Sequence, residues 1–139
     1  MINRLEYVAT QIEREILETG RLVVNGVSYG PSSIIQGNHP LSGHCQNAAG
    51  RVIEEFPELD FEVMRAQMID ERKNHRGIHL VTILPGEYLI DPTIGQFEDS
   101  RNHVFDSSNP YPLHPVRKNH KIENGKEFYK KHFGEHSFL

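Results

Sequence analysis

The chain has 139 residues, a formal net charge of −4 and a single cysteine, Cys45. That length suits one domain, residues 1–139, with a core that needs no staples; one cysteine excludes an internal disulfide and fits a reducing compartment. The mildly acidic balance gives no footprint for nucleic acid as a partner.

The opening residues, MINRLEYVATQIEREILETG, hold no long apolar stretch and no small-residue cleavage site. No run approaches the roughly 18 apolar residues of a membrane span. The expectation is a cytoplasmic protein, or one exported without a Sec-type signal, with no membrane partner.

Leu5, Val8, Ile12 and Ile16 recur at helical spacing, with Arg4, Glu13, Arg14 and Glu18 on other faces and Gly20 as the stop. Asn25-Gly26, set between two β-rich pieces, predicts a type I′ hairpin because both turn positions need positive φ. The Gly, Pro and Ser content of residues 30–44 reads as a loop. A second helix is expected from near Ser42, its N-cap, with Ala48, Ala49, Val52, Ile53 and Phe56 as the apolar stripe and Pro57 at the end. FEVMRAQMI (61–69) favours a strand, and DERKNHRG a polar turn. Residues 78–84 and 87–91 predict two strands joined through Pro85-Gly86. Residues 98–121, rich in Pro, Asn and Ser, predict a long surface loop before a short helix over 125–133.

Nucleophilic sulfur chemistry needs the thiolate, and a free cysteine is mostly protonated at neutral pH. A helix N-terminus and a neighbouring imidazolium both lower its pKa. Cys45, in the first helical turn, lies near unpaired amides and the positive end of the dipole, and the same amides suit an oxyanion. A lone cysteine can equally be a small core residue, but the flanking GHCQ is polar. His79, early in one strand, supplies a base; Asp91, at the end of the next, supplies the acceptor that fixes its tautomer. Taken singly, His79 fits a satisfied core histidine and Asp91 a turn former.

The order of Cys on a helix, His on a strand and Asp closing the next strand resembles the transglutaminase-like branch of the papain-fold thiol enzymes. HLVTILPGEYLIDPTIGQF (79–97) is most similar to short bacterial papain-like toxin and protein-deamidase domains. The similarity covers residues 42–97. It implies an α+β papain-like core, with a Cys-bearing helix on a small antiparallel sheet. Cys45, His79 and Asp91 would then be nucleophile, base and orienting acid, and Gln36 a candidate oxyanion donor; Gln96 has a packing or capping role as its equal alternative. The chain departs from the pattern at Leu80, where such sequences often carry a small residue and then Trp, and at Gln46, where proteases carry an aromatic.

The function expected is cysteine-dependent amide hydrolysis, protein-glutamine deamidation first, of toxin or effector type. A cysteine protease or a transglutaminase would share the triad, and a non-enzymatic binding module on the same fold is the reading of another class. The resemblance implies a protein substrate and a cognate inhibitor protein as partners. No cofactor and no metal is expected. His39, His44, Cys45 and His79 lack zinc spacing, and the pairs His75/His79 and His132/His136 lack the Glu of a zinc-protease motif. His103, His114 and His120 read as ordinary loop histidines. The basic run Arg117, Lys118, Lys121, Lys126, Lys130 and Lys131, interspersed with Glu123, Glu127 and Glu135, reads as a solvated face.

Strand register bears directly on the triad. A two-residue turn at Pro85-Gly86 would pair Leu84 with Glu87, set His79 opposite Pro92 and turn Asp91 to the other face. A three-residue loop, Pro85-Gly86-Glu87, pairs Leu84 with Tyr88 and leaves Asp91 on the face of His79, in diagonal reach. The triad therefore predicts an odd-length loop or a bulge there.

Overall fold

The computed structural model describes residues 1–32, 39–70, 75–97, 102–116 and 120–136. Helix α1 (Ile2–Thr19) buries Leu5, Ala9, Ile12 and Ile16, one face at helical spacing, and stops at Gly20 in the left-handed conformation. Strands β1 (Leu22–Val24) and β2 (Val27–Tyr29) pair antiparallel with Val24 opposite Val27. Asn25 and Gly26 between them take φ of 51° and 75°, as the type I′ turn requires. The Asn25 amide also donates to the carbonyls of Phe133 and Glu135, tying this hairpin to the far end of the chain.

Helix α2 (Cys45–Glu55) comes next. The strands of a second, separate sheet follow: β3 (Glu62–Asp70), β4 (His75–Leu84), β5 (Tyr88–Ile90), a 3-10 turn at Ile94–Gln96, then β6 (Val104–Phe105), β7 (His114–Pro115) and β8 (Lys121–Asn124). Helix α3 (Gly125–Phe133) closes the described chain. Asn124 caps it by accepting from the Lys126 and Glu127 amides. The strands make a small curled antiparallel sheet in the order β6-β5-β4-β3-β7, with β8 also on β3. Helices and antiparallel strands thus combine as an α+β architecture.

The sheet has an apolar side chain set on each face. Val63, Leu80 and Leu84 join the helices in the larger cluster, which includes Ile12, Ile53, Phe56, Phe128 and Phe133. Met64, Ala66, Met68 and Val81 face the other way, against Ile94, Phe97, Phe105 and Leu113. Period-two alternation along β3 and β4 sorts the residues between these two layers.

Two expectations need correction. The second helix starts at Cys45, not near Ser42, and His44 is the residue that precedes it, without a side-chain cap. Residues 40–43 instead form a tight turn, in which Ser42 N–H bonds His39 O and His44 N–H bonds Leu41 O. Gly43 takes φ +83°, which ends any helical run, and a Cβ there would also lie 3.0 Å from Pro31 Cβ. The stretch 98–121 is more than a surface loop. It carries β6, β7 and the first residue of β8, and it buries His103, Val104, Phe105 and Leu113. Its polar composition conceals these apolar anchors because each strand within it is too short to show a period.

Candidate active site

The loop between β4 and β5 decides which side chains share a face. Leu84 pairs with Tyr88, Ile83 with Leu89 and Thr82 with Ile90. Pro85, Gly86 and Glu87 therefore form a three-residue loop, closed by Glu87 N–H on Leu84 O at 3.0 Å, with Gly86 at φ +75°. This is the odd-length register, and Asp91 falls on the face of His79. His79 Nε2 meets Asp91 Oδ2 at 2.8 Å, with both side chains 1 % exposed.

Asp91 sits where β5 ends, its own N–H bonded to His103 O at 2.8 Å. Its carboxylate is held on every side. Tyr111 Oη donates to Oδ2 at 2.5 Å, while Thr93 N–H and Thr93 Oγ1 donate to Oδ1 at 3.1 and 3.2 Å. Gln96 Nε2 in turn donates to Thr93 Oγ1 at 3.3 Å, which gives Gln96 a bracing role. Phe97 stands edge-on to the His79 ring, centroids 4.8 Å apart. The stretch DPTIGQF thus supplies an acid, part of its clamp, a brace and a ring wall within seven residues.

Cys45 is the first residue of α2 and is half-buried. Amides of the first turn lack a carbonyl four residues back within the helix, and Ala48 N–H is the first to find one, at His44 O, 2.9 Å away. Asn47, in the same first turn, donates to Gly30 O at 3.0 Å and holds the β2 exit against the helix start. His79 Nδ1 is buried and has no partner of ordinary hydrogen-bond geometry among the described residues. The His79 ring and the Cys45 thiol are electrostatically coupled, each shifting the other's pKa.

The electrostatics follow from these contacts. Burial pushes the Cys45 thiol up, but the hydrogen bond and charge of His79, helped by the Leu80 backbone, outweigh it and the net shift is downward. Burial also works against charge on His79. The Asp91 carboxylate and the Cys45 thiol overcome it and raise the imidazole to about 10. Asp91 itself is lowered, because His79, Tyr111 and Thr93 together outweigh its desolvation. Both shifts, Cys45 down and His79 up, favour a thiolate beside an imidazolium.

Both open onto a cavity of about 570 Å³ lined by residues of the β2 exit, the 39–43 turn, the α2 start, β3, β4 and Gln96-Phe97. Among the other candidates, Gln36 lies outside the described residues. His39 lines the cavity and accepts from Leu41 N–H, whereas His44 is buried behind Cys45. Its pKa is lowered by burial and by the charge of Arg21. The side chain of His75 also lies outside the described residues. His132 packs on Phe128, and His136 Nδ1 meets Asn25 Oδ1 at 3.3 Å. Among the described residues no group of three or more His, Cys, Asp or Glu side chains is arranged to hold a metal ion. Nor is any described helix long and apolar enough to cross a membrane.

Thr93, Phe97 and Tyr111 belong to the site without having been singled out from sequence. Thr93 and Phe97 could have been found from DPTIGQF; Tyr111, framed by two prolines in a polar segment, carries no such signal. His103 is not an ordinary loop histidine. Buried against α1, it places Nδ1 2.7 Å from Glu6 and Nε2 3.0 Å from Glu13.

No family model, no curated protein and no solved structure matches this chain. The case for its chemistry rests on the residues themselves.

Proposed function

We propose that the chain is a cysteine-dependent amide hydrolase on a papain-like, transglutaminase-like core, acting first as a protein-glutamine deamidase of toxin or effector type. The observation that carries this reading is the thiol at a helix start interacting with an imidazole that a clamped, buried carboxylate orients. Such a set matches the requirements of nucleophilic catalysis at each position.

The Cys45 thiolate attacks the carboxamide carbon, and the first-turn amides of α2 receive the developing oxyanion. His79 gives its Nδ1 proton to the departing nitrogen, which leaves as ammonia, and a thioester remains on Cys45. Water then attacks the thioester while Nδ1 takes its proton, which restores the imidazolium as the acid is released and Cys45 leaves as the thiolate. Throughout, Nε2–H stays on Asp91, which keeps the tautomer and steadies the charged ring.

The test is mass spectrometry of candidate partner proteins incubated with the wild type and with Cys45→Ala. A one-dalton gain on glutamine, absent with the variant, is the expected result. Cleavage would make the enzyme a protease and a crosslink a transglutaminase, both with the same triad. Retained activity in Cys45→Ala would end the reading.

A further inference from the structure

The cavity has a sign. Among its described lining residues Arg65 is the one formally charged side chain, and no Asp or Glu lines it. Charge on His79 is matched by the Cys45 thiolate beside it and by Asp91 buried behind the ring, so Arg65 sets the sign. This is the opposite of the chain as a whole, whose net charge is −4.

Arg65 is also poorly matched where it stands. It is exposed on β3, and its hydrogen bond among the described residues runs from Nη2 to Gln46 Oε1 at 3.4 Å, long and to a neutral acceptor. Across the sheet it pairs directly with Lys121 of β8, so two cations stand opposite one another on one face. Like charges in that position destabilise a sheet. Glu123, on the same face of β8, is within 3.9 Å of Lys131 of α3 instead. A guanidinium fork thus borders the cavity with no carboxylate paired to it among the described residues, next to the side chain that follows Cys45. Its geometry suits a two-point grip on a carboxylate.

We propose that Arg65 selects substrates that carry a carboxylate beside the amide to be hydrolysed, the acidic side chain of a neighbouring residue being the source. This rests on Cys45 as the nucleophile. Arg65 touches the substrate's flank rather than the reacting carbonyl, and its role is specificity.

Paired affinity reagents test it. Iodoacetyl-glutamate α-amide and iodoacetyl-glutamine α-amide have the same size and differ in one charge. Each is scored by its rate of Cys45 alkylation relative to a free thiol. The wild type should favour the glutamate reagent by about fivefold, the size of effect expected for a partly exposed ion pair. Arg65→Gln should bring the ratio close to one, and Arg65→Lys should keep part of the preference. Iodoacetylglycine against iodoacetylglycinamide forms a second pair. A preference confined to that pair shows a chain-terminal carboxylate as the source and overturns the assignment to a side chain. A wild-type ratio near one in both pairs, or a ratio that survives in Arg65→Gln, overturns the role of Arg65. Slow alkylation by the neutral reagents, no faster than a free thiol, would instead remove the catalytic reading on which the proposal stands.

Discussion

Tyr111 shares the Asp91 oxygen that also takes His79, and nothing near it in the chain explains why. A hydroxyl donating to a buried carboxylate contributes about 1.5–3 kcal/mol, so Tyr111→Phe should lower stability by about 2 kcal/mol in denaturant titration. The variant has a pH signature as well. Asp91 is lowered in the fold, so its contribution is present above the unfolded value of about 3.9 and is lost as pH falls through the folded one. With one donor removed the folded value is less depressed, and the acid limb of the melting profile should move to higher pH. Cys45 gives a second test at this scale. Its iodoacetamide labelling should reach half-maximum below the pH of an ordinary thiol, because His79 lowers it against the pull of burial. In His79→Gln that help is gone while the burial stays, so the midpoint should rise above the ordinary value; an unmoved midpoint would separate the ring from the thiol.

The hairpin of β4 and β5 sets the geometry of the site through the length of its loop. Deleting Leu89 leaves Leu84 opposite Tyr88 but moves every later residue of β5 by one, which carries Ile90 and Asp91 to the opposite face. Asp91 would leave His79, and Ile90, now buried in the core, would turn outward. The deletion should therefore abolish both turnover and accelerated thiol labelling and lower the melting temperature; fast labelling in a folded deletion variant would refute the register account. This element was readable in advance because the constraint is local: Leu84, Pro85, Gly86 and Tyr88 lie side by side, and the triad tolerates one parity. The α1 stripe and the Asn25-Gly26 turn were legible for the same reason. The start of α2 was misplaced because Ser42 looks like a cap, while Gly43 at φ +83° and the close approach of Pro31 depend on the loop's path. Strands β6 and β7, two residues each, are defined by their partners rather than by any pattern of their own.

At the scale of the molecule, His103 links α1 to the β5–β6 edge. Glu6 and Glu13 hold its ring, and Glu6 also accepts from the His103 and Val104 amides, across 97 and 98 residues of chain. No sequence window contains both partners, which is why it read as a loop histidine. Burial works against its charge, but the two carboxylates prevail and raise its pKa above the unfolded value. Its contribution is then fully present below about pH 6.5 and is lost as pH rises through the folded value. His103→Gln should cost about 2 kcal/mol, less than a fully buried pair because both carboxylates keep some contact with water. The gap in melting temperature between wild type and variant should shrink as pH rises; a gap that widens would show the ring to be neutral. His79 and Asp91 come together across 12 residues of one hairpin, but Cys45 reaches them on a separate helix packed against the sheet. An extended chain therefore carries a thiol of ordinary acidity, far from any imidazolium. Any step that handles the extended chain, synthesis on the ribosome included, meets an unarmed sulfur, and its acidity changes only on arrival at the native state.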